Sequence, residues 1–209
     1  MRSARYLLLA LGLTAGPAAV ASDFSANIGF MSDYFFRGIK QSESAAMGGL
    51  DWEGGGFYAG TWLADVEQGL EYDLYAGYGG EIGGVSYGIG GTGYFYTDDF
   101  DDTYLEANFS LGYSFFTVDY AYGRYDNFDG PTLDYDFLSL TGEYEGLYLT
   151  YGTFGKDFEG DYVEAGYGLE VAGIDLGVAA IYSDADLAGG ESETSLVFTI
   201  SKTFALGGG

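Results

Sequence analysis

From residue 24 to residue 204 the chain alternates apolar and polar residues with a period of two, and this pattern limits its fold more than any other feature. In one stretch, Leu70, Tyr72, Leu74, Ala76 and Tyr78 fall on one side, and Glu71, Asp73, Tyr75, Gly77 and Gly79 on the other. Ile174, Leu176, Val178, Ala180 and Tyr182 oppose Asp175, Gly177, Ala179 and Ile181 in the same way. Successive side chains of a strand point to opposite faces, whereas a helix would scatter these residues around its axis. The 37 glycines argue in the same direction, since each costs up to about 1 kcal/mol in a helix interior.

The alternation breaks into about twelve strands, near 24–32, 44–53, 56–64, 70–80, 85–96, 103–113, 115–124, 134–144, 146–154, 161–171, 174–183 and 193–204. Their lengths suit the roughly 9–11 residues that a tilted strand needs to cross a bilayer, and bacterial single-chain barrels have even strand numbers. The connections alternate in character. Glu53 to Gly56, Glu145-Gly146 and Ala172-Gly173 are short and glycine-rich, whereas Thr97 to Asp102, Tyr125 to Leu133 and Asp184 to Ser192 are longer and acidic. The expected fold is all-β: a transmembrane, antiparallel, up-and-down β-barrel of about twelve strands, with short periplasmic turns and longer acidic extracellular loops.

The first residues read as a leader. Arg2 and Arg5 precede the apolar run Tyr6 to Leu13, Gly16 and Pro17 interrupt it, and Ala19-Val20-Ala21 is an A-x-A cleavage site. Residues 1–21 are expected to be a removed signal peptide, and 22–209 a single barrel domain beginning at Ser22. No later run approaches the roughly 18 apolar residues of a helical span. Without the leader, the basic residues are Arg37, Lys40, Arg124, Lys156 and Lys202, set against 32 acidic ones. Nucleic acid is excluded as a partner, because phosphate recognition needs clustered Lys and Arg. Disorder is excluded by 21 Tyr and 16 Phe. With no Cys to cross-link the chain, a closed hydrogen-bond ladder is the expected source of stability.

A soluble sandwich or lipocalin-like barrel also alternates. It would present a Lys-rich polar face to water, whereas the polar face here is Gly, Ser, Thr and acid. Tyr78, Tyr94, Tyr96, Tyr113, Tyr125, Tyr144 and Tyr182 crowd the strand ends, which fits the aromatic girdles of a membrane barrel. In the last strand Leu196, Phe198, Ile200, Lys202 and Phe204 share a face. Lys202 there is placed to snorkel toward headgroups, and Leu196, Phe198, Ile200 and Phe204 form the element expected to engage outer-membrane assembly machinery. The expected surroundings are outer-membrane lipid and lipopolysaccharide of a Gram-negative bacterium.

Three segments carry a family resemblance: Ser32-Asp33-Tyr34-Phe35-Phe36-Arg37-Gly38-Ile39-Lys40-Gln41-Ser42; Gly48-Gly49-Leu50-Asp51-Trp52 with Gly56-Phe57-Tyr58-Ala59-Gly60-Thr61-Trp62; and Leu70 to Tyr78. Together they resemble the TorF porin family of proteobacteria, over about the first third of the chain after the leader. Met47, and Ala64-Asp65, depart from the family's usual Gln and Ser-Asn. The resemblance implies an outer-membrane pore.

No His and no Cys are present, so Ser–His, Asp–His and Cys–His catalysis are impossible, and acids are too numerous for any pair to stand out. The sequence points away from an enzyme and to no cofactor. If the apolar face meets lipid, the inner face carries Asp51, Glu53, Glu71, Asp73, Glu106, Asp119, Glu143, Glu164, Glu170, Asp175 and Glu193, beside Gly77, Gly79, Gly88, Gly90, Gly123, Gly152, Gly166, Gly168 and Gly177. Burying such carboxylates unpaired costs several kcal/mol each, which water in the lumen relieves. The expectation is a narrow, water-filled acidic channel for passive diffusion of small solutes, favouring cations. No loop looks long enough to fold into a plug. The loop from Asp33 to Glu43, with Arg37 and Lys40, has two readings: a constriction folded inward onto lumen acids, or a solvated rim loop. Asp98, Asp99, Asp101 and Asp102 invite a calcium site, and Tyr125 to Asp136 loosely mimics an EF-hand. Tyr125 and Asp136 occupy the positions where that motif needs Asp and Glu, so no dedicated metal site is expected. The alternative function is a non-conducting barrel: an adhesin, a scaffold or a divalent-cation-binding surface protein.

Overall fold

The computed structural model describes residues 23–206, so the expected leader and the start at Ser22 lie outside the described residues. The strands are β1 (Asp23–Met31), β2 (Tyr34–Phe36), β3 (Ile39–Ser42), β4 (Ala45–Gly54), β5 (Phe57–Asp65), β6 (Leu70–Ile82), β7 (Val85–Tyr96), β8 (Tyr104–Tyr113), β9 (Phe116–Tyr125), β10 (Leu133–Tyr144), β11 (Leu147–Lys156), β12 (Asp161–Val171), β13 (Ile174–Ser183) and β14 (Glu193–Ala205). No helix occurs among the described residues. Twelve of the strands form a closed antiparallel barrel in which β4 to β14 pair in chain order and β1 joins β4 to β14. The twelve expected strands are these twelve, with bounds that agree to within about two residues.

The turn chemistry explains why the register holds. At one end of the barrel each hairpin closes through two residues, and Gly55-Gly56, Gly83-Gly84, Glu145-Gly146 and Ala172-Gly173 all have positive φ at both positions. That is the type I′ geometry whose twist matches the flanking strands. The other end carries the longer loops, as expected.

The two faces are sorted as the alternation requires, with the apolar one outside. Ile28, Leu50, Leu74, Leu111, Leu140, Leu149 and Phe198 are exposed on the outer wall. A soluble lipocalin-like barrel would have the opposite arrangement, so that alternative is excluded. Leu196, Phe198, Ile200 and Phe204 are all exposed on β14, and Lys202 lies over the Phe204 ring at 5.4 Å. Of the expected girdle tyrosines, Tyr78, Tyr113, Tyr144 and Tyr182 are exposed outside. Tyr94, Tyr96 and Tyr125 are a correction: their strand parity turns them inward, and Tyr94 is among the most buried residues.

The larger departure lies between β1 and β4. Residues 33–43 are not an open loop. They form the two-stranded β2–β3 hairpin, which pairs with no barrel strand and occupies the lumen at the long-loop end. At its root, Ser32 N donates to Phe198 O at 2.9 Å, and Phe198 N donates to Ser32 Oγ at 3.0 Å, which ties the hairpin to β14. At its tip Arg37 and Gly38 both have positive φ, and a Cβ at Gly38 would run into Tyr162 and Leu187. Eleven residues suffice for a folded plug because a hairpin with a two-residue turn needs no length beyond its own strands. The buried hydrophobic residues form one cluster inside the barrel, in which Tyr34 packs with Met31, Met47, Phe137, Tyr162 and Ile181.

Candidate functional site

The hairpin brings one basic group into the lumen and surrounds it with partners from distant strands. Arg37 Nη1 donates to Glu106 Oε1 at 2.6 Å and Nη2 to Glu106 Oε2 at 3.0 Å, a bidentate pair on β8. Glu106 also accepts from Tyr135 Oη at 2.7 Å, Tyr94 Oη at 3.1 Å and Asn108 Nδ2 at 2.9 Å. The guanidinium carbon lies 4.3 Å from the Phe137 ring centroid and 4.7 Å from that of Phe36. Burial lowers the Arg37 pKa and the facing Glu106 charge raises it, with a net rise, so the pair stays ionised. With the guanidinium sandwiched by aromatic rings and bidentate, and Glu106 accepting three further hydrogen bonds, the pair meets the conditions under which a buried ion pair holds.

The rest of the hairpin is fixed just as specifically. Tyr34 Oη donates to Glu71 Oε1 at 2.9 Å, and its ring packs edge-on against Trp62 at 5.5 Å. Ser183 Oγ donates to the Gly38 carbonyl across the lumen. Lys40 is a correction to the inward-constriction expectation. It pairs with Asp33 of its own hairpin at 3.0 Å, not with a lumen acid. Of the hairpin's two basic residues, Arg37 alone pairs with an acid of the barrel wall.

The inner acids divide by height. Glu71 and Asp73 are fully buried beside the hairpin, and Glu106 is buried within the Arg37 network. Asp51 accepts from Tyr75 Oη and, at 3.4 Å, from Asn27 Nδ2. Asp119 is half-buried opposite Ser110. Glu143, Glu164 and Asp175 line a cavity that runs beside the hairpin toward the short-turn end, together with Asp33, Phe35 and Tyr148. Tyr148 Oη donates to Glu164 Oε1. Glu170, opposite Asp175, and Glu193 at the far end of β14 are exposed at the rims.

Among the inner glycines, Gly77, Gly90, Gly123, Gly152 and Gly166 do not leave open space, whereas Gly168 and Gly177 line the cavity. Tyr58 covers Gly77 and Gly90, Tyr75 covers Gly60, Tyr135 covers Gly123, Tyr148 covers Gly166 and Tyr162 covers Gly152. Each ring lies over a glycine of the neighbouring strand, in direct register for every pair but Tyr58–Gly90. This is the aromatic cover of glycine seen in curved sheets. Sequence reasoning set Tyr75 on the polar face but missed the inward role of Tyr58, Tyr135, Tyr148 and Tyr162, because it assigned aromatics to lipid. The available signal was parity, since Tyr58, Tyr75, Tyr135, Tyr148 and Tyr162 all share their strands' polar face.

The acidic rim loop is internally satisfied. Asp101 accepts from the Tyr104 and Tyr125 hydroxyls, each at 2.8 Å, and Asp102 accepts from the backbone nitrogens of Thr103 and Phe128. Among the described residues no three acidic side chains converge into a ready-made metal site.

A family model described as "Bacterial protein of unknown function (Gcw_chp)" matches residues 14–204. No curated protein sequence matches the chain. Among solved structures, the barrel is similar to one described as "Unveiling the Mechanism Behind the in-meso Crystallization of Membrane Proteins", with a TM-score of 0.59 at 10% identity over 88% of this chain and 84% of that one. It also matches Pseudomonas aeruginosa OccK2 (OpdF) in complex with glucuronate, with a TM-score of 0.44 at 13% identity over 88% of this chain and 66% of that one. A BenF-like porin from Pseudomonas fluorescens Pf-5 matches with a TM-score of 0.45 at 11% identity over 84% of this chain and 58% of that one. At 10% identity the first likeness is one of fold.

Proposed function

This chain belongs to the Gcw_chp family, described as bacterial proteins of unknown function, and we propose that it is a Gram-negative outer-membrane barrel working as a narrow, cation-favouring porin. The outer wall supports the membrane setting, since an apolar band around a closed barrel suits lipid. The resemblance of residues 32–78 to TorF porins supports the pore. With the short turns periplasmic, the plugged end faces outward.

The observation that carries the proposal is the cavity beside the hairpin. Glu143, Glu164 and Asp175 line it with no basic residue beside them in the lining, together with Asp33, whose charge Lys40 balances. A passage walled by carboxylates concentrates cations and repels anions. The hairpin narrows the outer half, so small solutes pass beside it, and larger flow needs it to swing aside. Planar-bilayer recordings test this. Single-channel steps with a reversal potential favouring potassium over chloride are expected. Replacing residues 34–42 with a short Gly-Ser link should raise conductance.

A second reading is favoured by the packing around Arg37. Tyr94 and Tyr135 are 1% and 2% exposed, as expected of a stopper that does not move. The protein would then be a non-conducting barrel whose acidic outer loops act as an adhesin, scaffold or divalent-cation surface. Liposomes that swell in small sugars only when the hairpin is removed would favour this reading.

A further inference from the structure

The described residues include five basic ones, Arg37, Lys40, Arg124, Lys156 and Lys202, and none of them reaches Glu71 or Asp73. Arg37 is held by Glu106 and Lys40 by Asp33. Arg124 is exposed on the outside, 3.8 Å from Asp134. Lys156 is exposed at the rim with its Nζ 4.9 Å from the Tyr122 ring, and Lys202 lies on the outer wall over Phe204. Yet Glu71 and Asp73 are both 0% exposed. They sit two residues apart on the inner face of β6, beside the hairpin. Glu71 Oε1 accepts from Tyr34, and Tyr96, directly opposite on β7, brings a second hydroxyl close to this carboxylate, but both oxygens of Asp73 are buried without any hydrogen-bond donor.

Two buried carboxylates, one with both oxygens unpartnered and neither with a protein cation beside it among the described residues, must take up either protons or a counter-ion from outside the chain. We infer that Glu71 and Asp73 form a binding site for one hard divalent cation of the calcium class, lodged between β6 and the plug. Two carboxylates balance one divalent charge. Unpartnered carboxylate oxygens are the preferred ligands of such an ion, which takes roughly six to eight oxygens in all. The neighbours suit the task. Asp73 lies in register between Trp62 and Tyr94 on the adjacent strands, and both rings pack against the hairpin, at Tyr34 and Phe36. Tyr34 already anchors one oxygen of Glu71, so the site is built partly from the hairpin itself. The inference does not rest on conduction, because the docked hairpin holds the site whether or not solutes pass beside it.

Terbium is the probe, since it substitutes for calcium and its emission is sensitised by a nearby indole. The full barrel, folded in detergent micelles, is excited at a wavelength absorbed by Trp. A saturable emission with one ion per chain, displaced by calcium, is expected through Trp62. Asp73→Asn and Glu71→Gln should each abolish the saturable component. Trp62→Phe should remove the emission while calcium still raises the thermal unfolding temperature. The rim variants Asp98→Asn and Asp99→Asn should leave the signal intact. Emission that is absent in the folded wild type, or that survives in Asp73→Asn, overturns the inference. So does a gain in thermal stability on Asp73→Asn that is the same with and without calcium, which would mark a site neutralised by protons. Both substitutions remove an unpartnered charge, and the heat-modifiable gel shift of a closed barrel reports whether each variant has folded.

Discussion

The ring of Tyr135 fills the space that a side chain at Gly123 would take, and from there its hydroxyl reaches Glu106 Oε1 at 2.7 Å. One small residue on β9 thus sets the position of a donor on β10 that helps hold the ionised acid on β8. Gly123→Ala should push the ring away, destabilising the barrel by about 1–3 kcal/mol through overpacking. Gly142→Ala, where the new methyl meets only the Phe116 ring at ordinary contact distance, should cost far less. Urea unfolding from lipid vesicles, run on both variants, checks the contrast.

Arg37→Ala leaves Glu106 buried without its cation, an arrangement that typically costs about 3–5 kcal/mol. The hairpin should loosen, and single-channel conductance should rise above that of the wild type. Arg37→Met combined with Glu106→Gln removes both charges together and should recover most of the stability. Equal stability losses in the single and double variants would show that the pair does not hold the plug.

Gly38→Ala acts at the tip by a different route. Its φ of +81° and the closeness of Tyr162 and Leu187 both penalise a methyl group there. Faster proteolysis within residues 33–43, with an unchanged heat-modifiable gel shift, is the expected result: a released hairpin inside an intact barrel.

The hairpin should also respond to alkali. The Tyr34 pKa is raised well above 10.0, first by burial and then by the Glu71 and Asp73 charges. As pH climbs past about 10 an undocked Tyr34 ionises while the docked one stays neutral, so docking weakens. The hydrogen bond to Asp33 raises the Lys40 pKa from 10.5, so its stabilisation is complete below that value and is lost as pH rises through the docked pKa. Because Lys40 is partly exposed, its share is the smaller one. Both groups predict a flat response from pH 6 to 9 and a rise in conductance above about pH 10. Tyr34→Phe should blunt that rise, and an unchanged profile in this variant would count against the mechanism.

The outer wall gives a depth-dependent test. Leu138→Arg, near the middle of β10, should cost about 2–4 kcal/mol in a bilayer, whereas Leu147→Lys, at the short-turn end of β11, should cost about 0–1 kcal/mol. Folding equilibria in vesicles read the difference, and equal costs would mean that these residues do not face lipid.

The twelve barrel strands were legible because one face of each had to be apolar, and a period of two admits only one register for such a strand. The turns were legible for the same local reason, since Gly146 and Gly173 take positive φ at small cost, although Glu145 and Ala172 before them adopt it against their side chains. The plug was not. Tyr34-Phe35-Phe36 breaks the alternation, and a run of three aromatics ahead of an arginine reads equally well as a rim loop or a packed insert. What decides between them is Glu106, some seventy residues away on another strand. Strand parity placed Glu71, Asp73 and Glu106 inside, but the water expected around them depended on an open lumen. Their burial follows from a tertiary contact with no local sequence signature.

The ties between Ser32 and Phe198 add a constraint on time. Strand β14 is the last of the barrel to be synthesised, and β1, from which the hairpin departs, finds its second neighbour only when β14 arrives. Until then the root of the hairpin lacks its anchor, and Arg37 has no enclosed space in which to meet Glu106. Sealing the wall and seating the stopper are therefore one event, and a chain arrested before β14 would have neither.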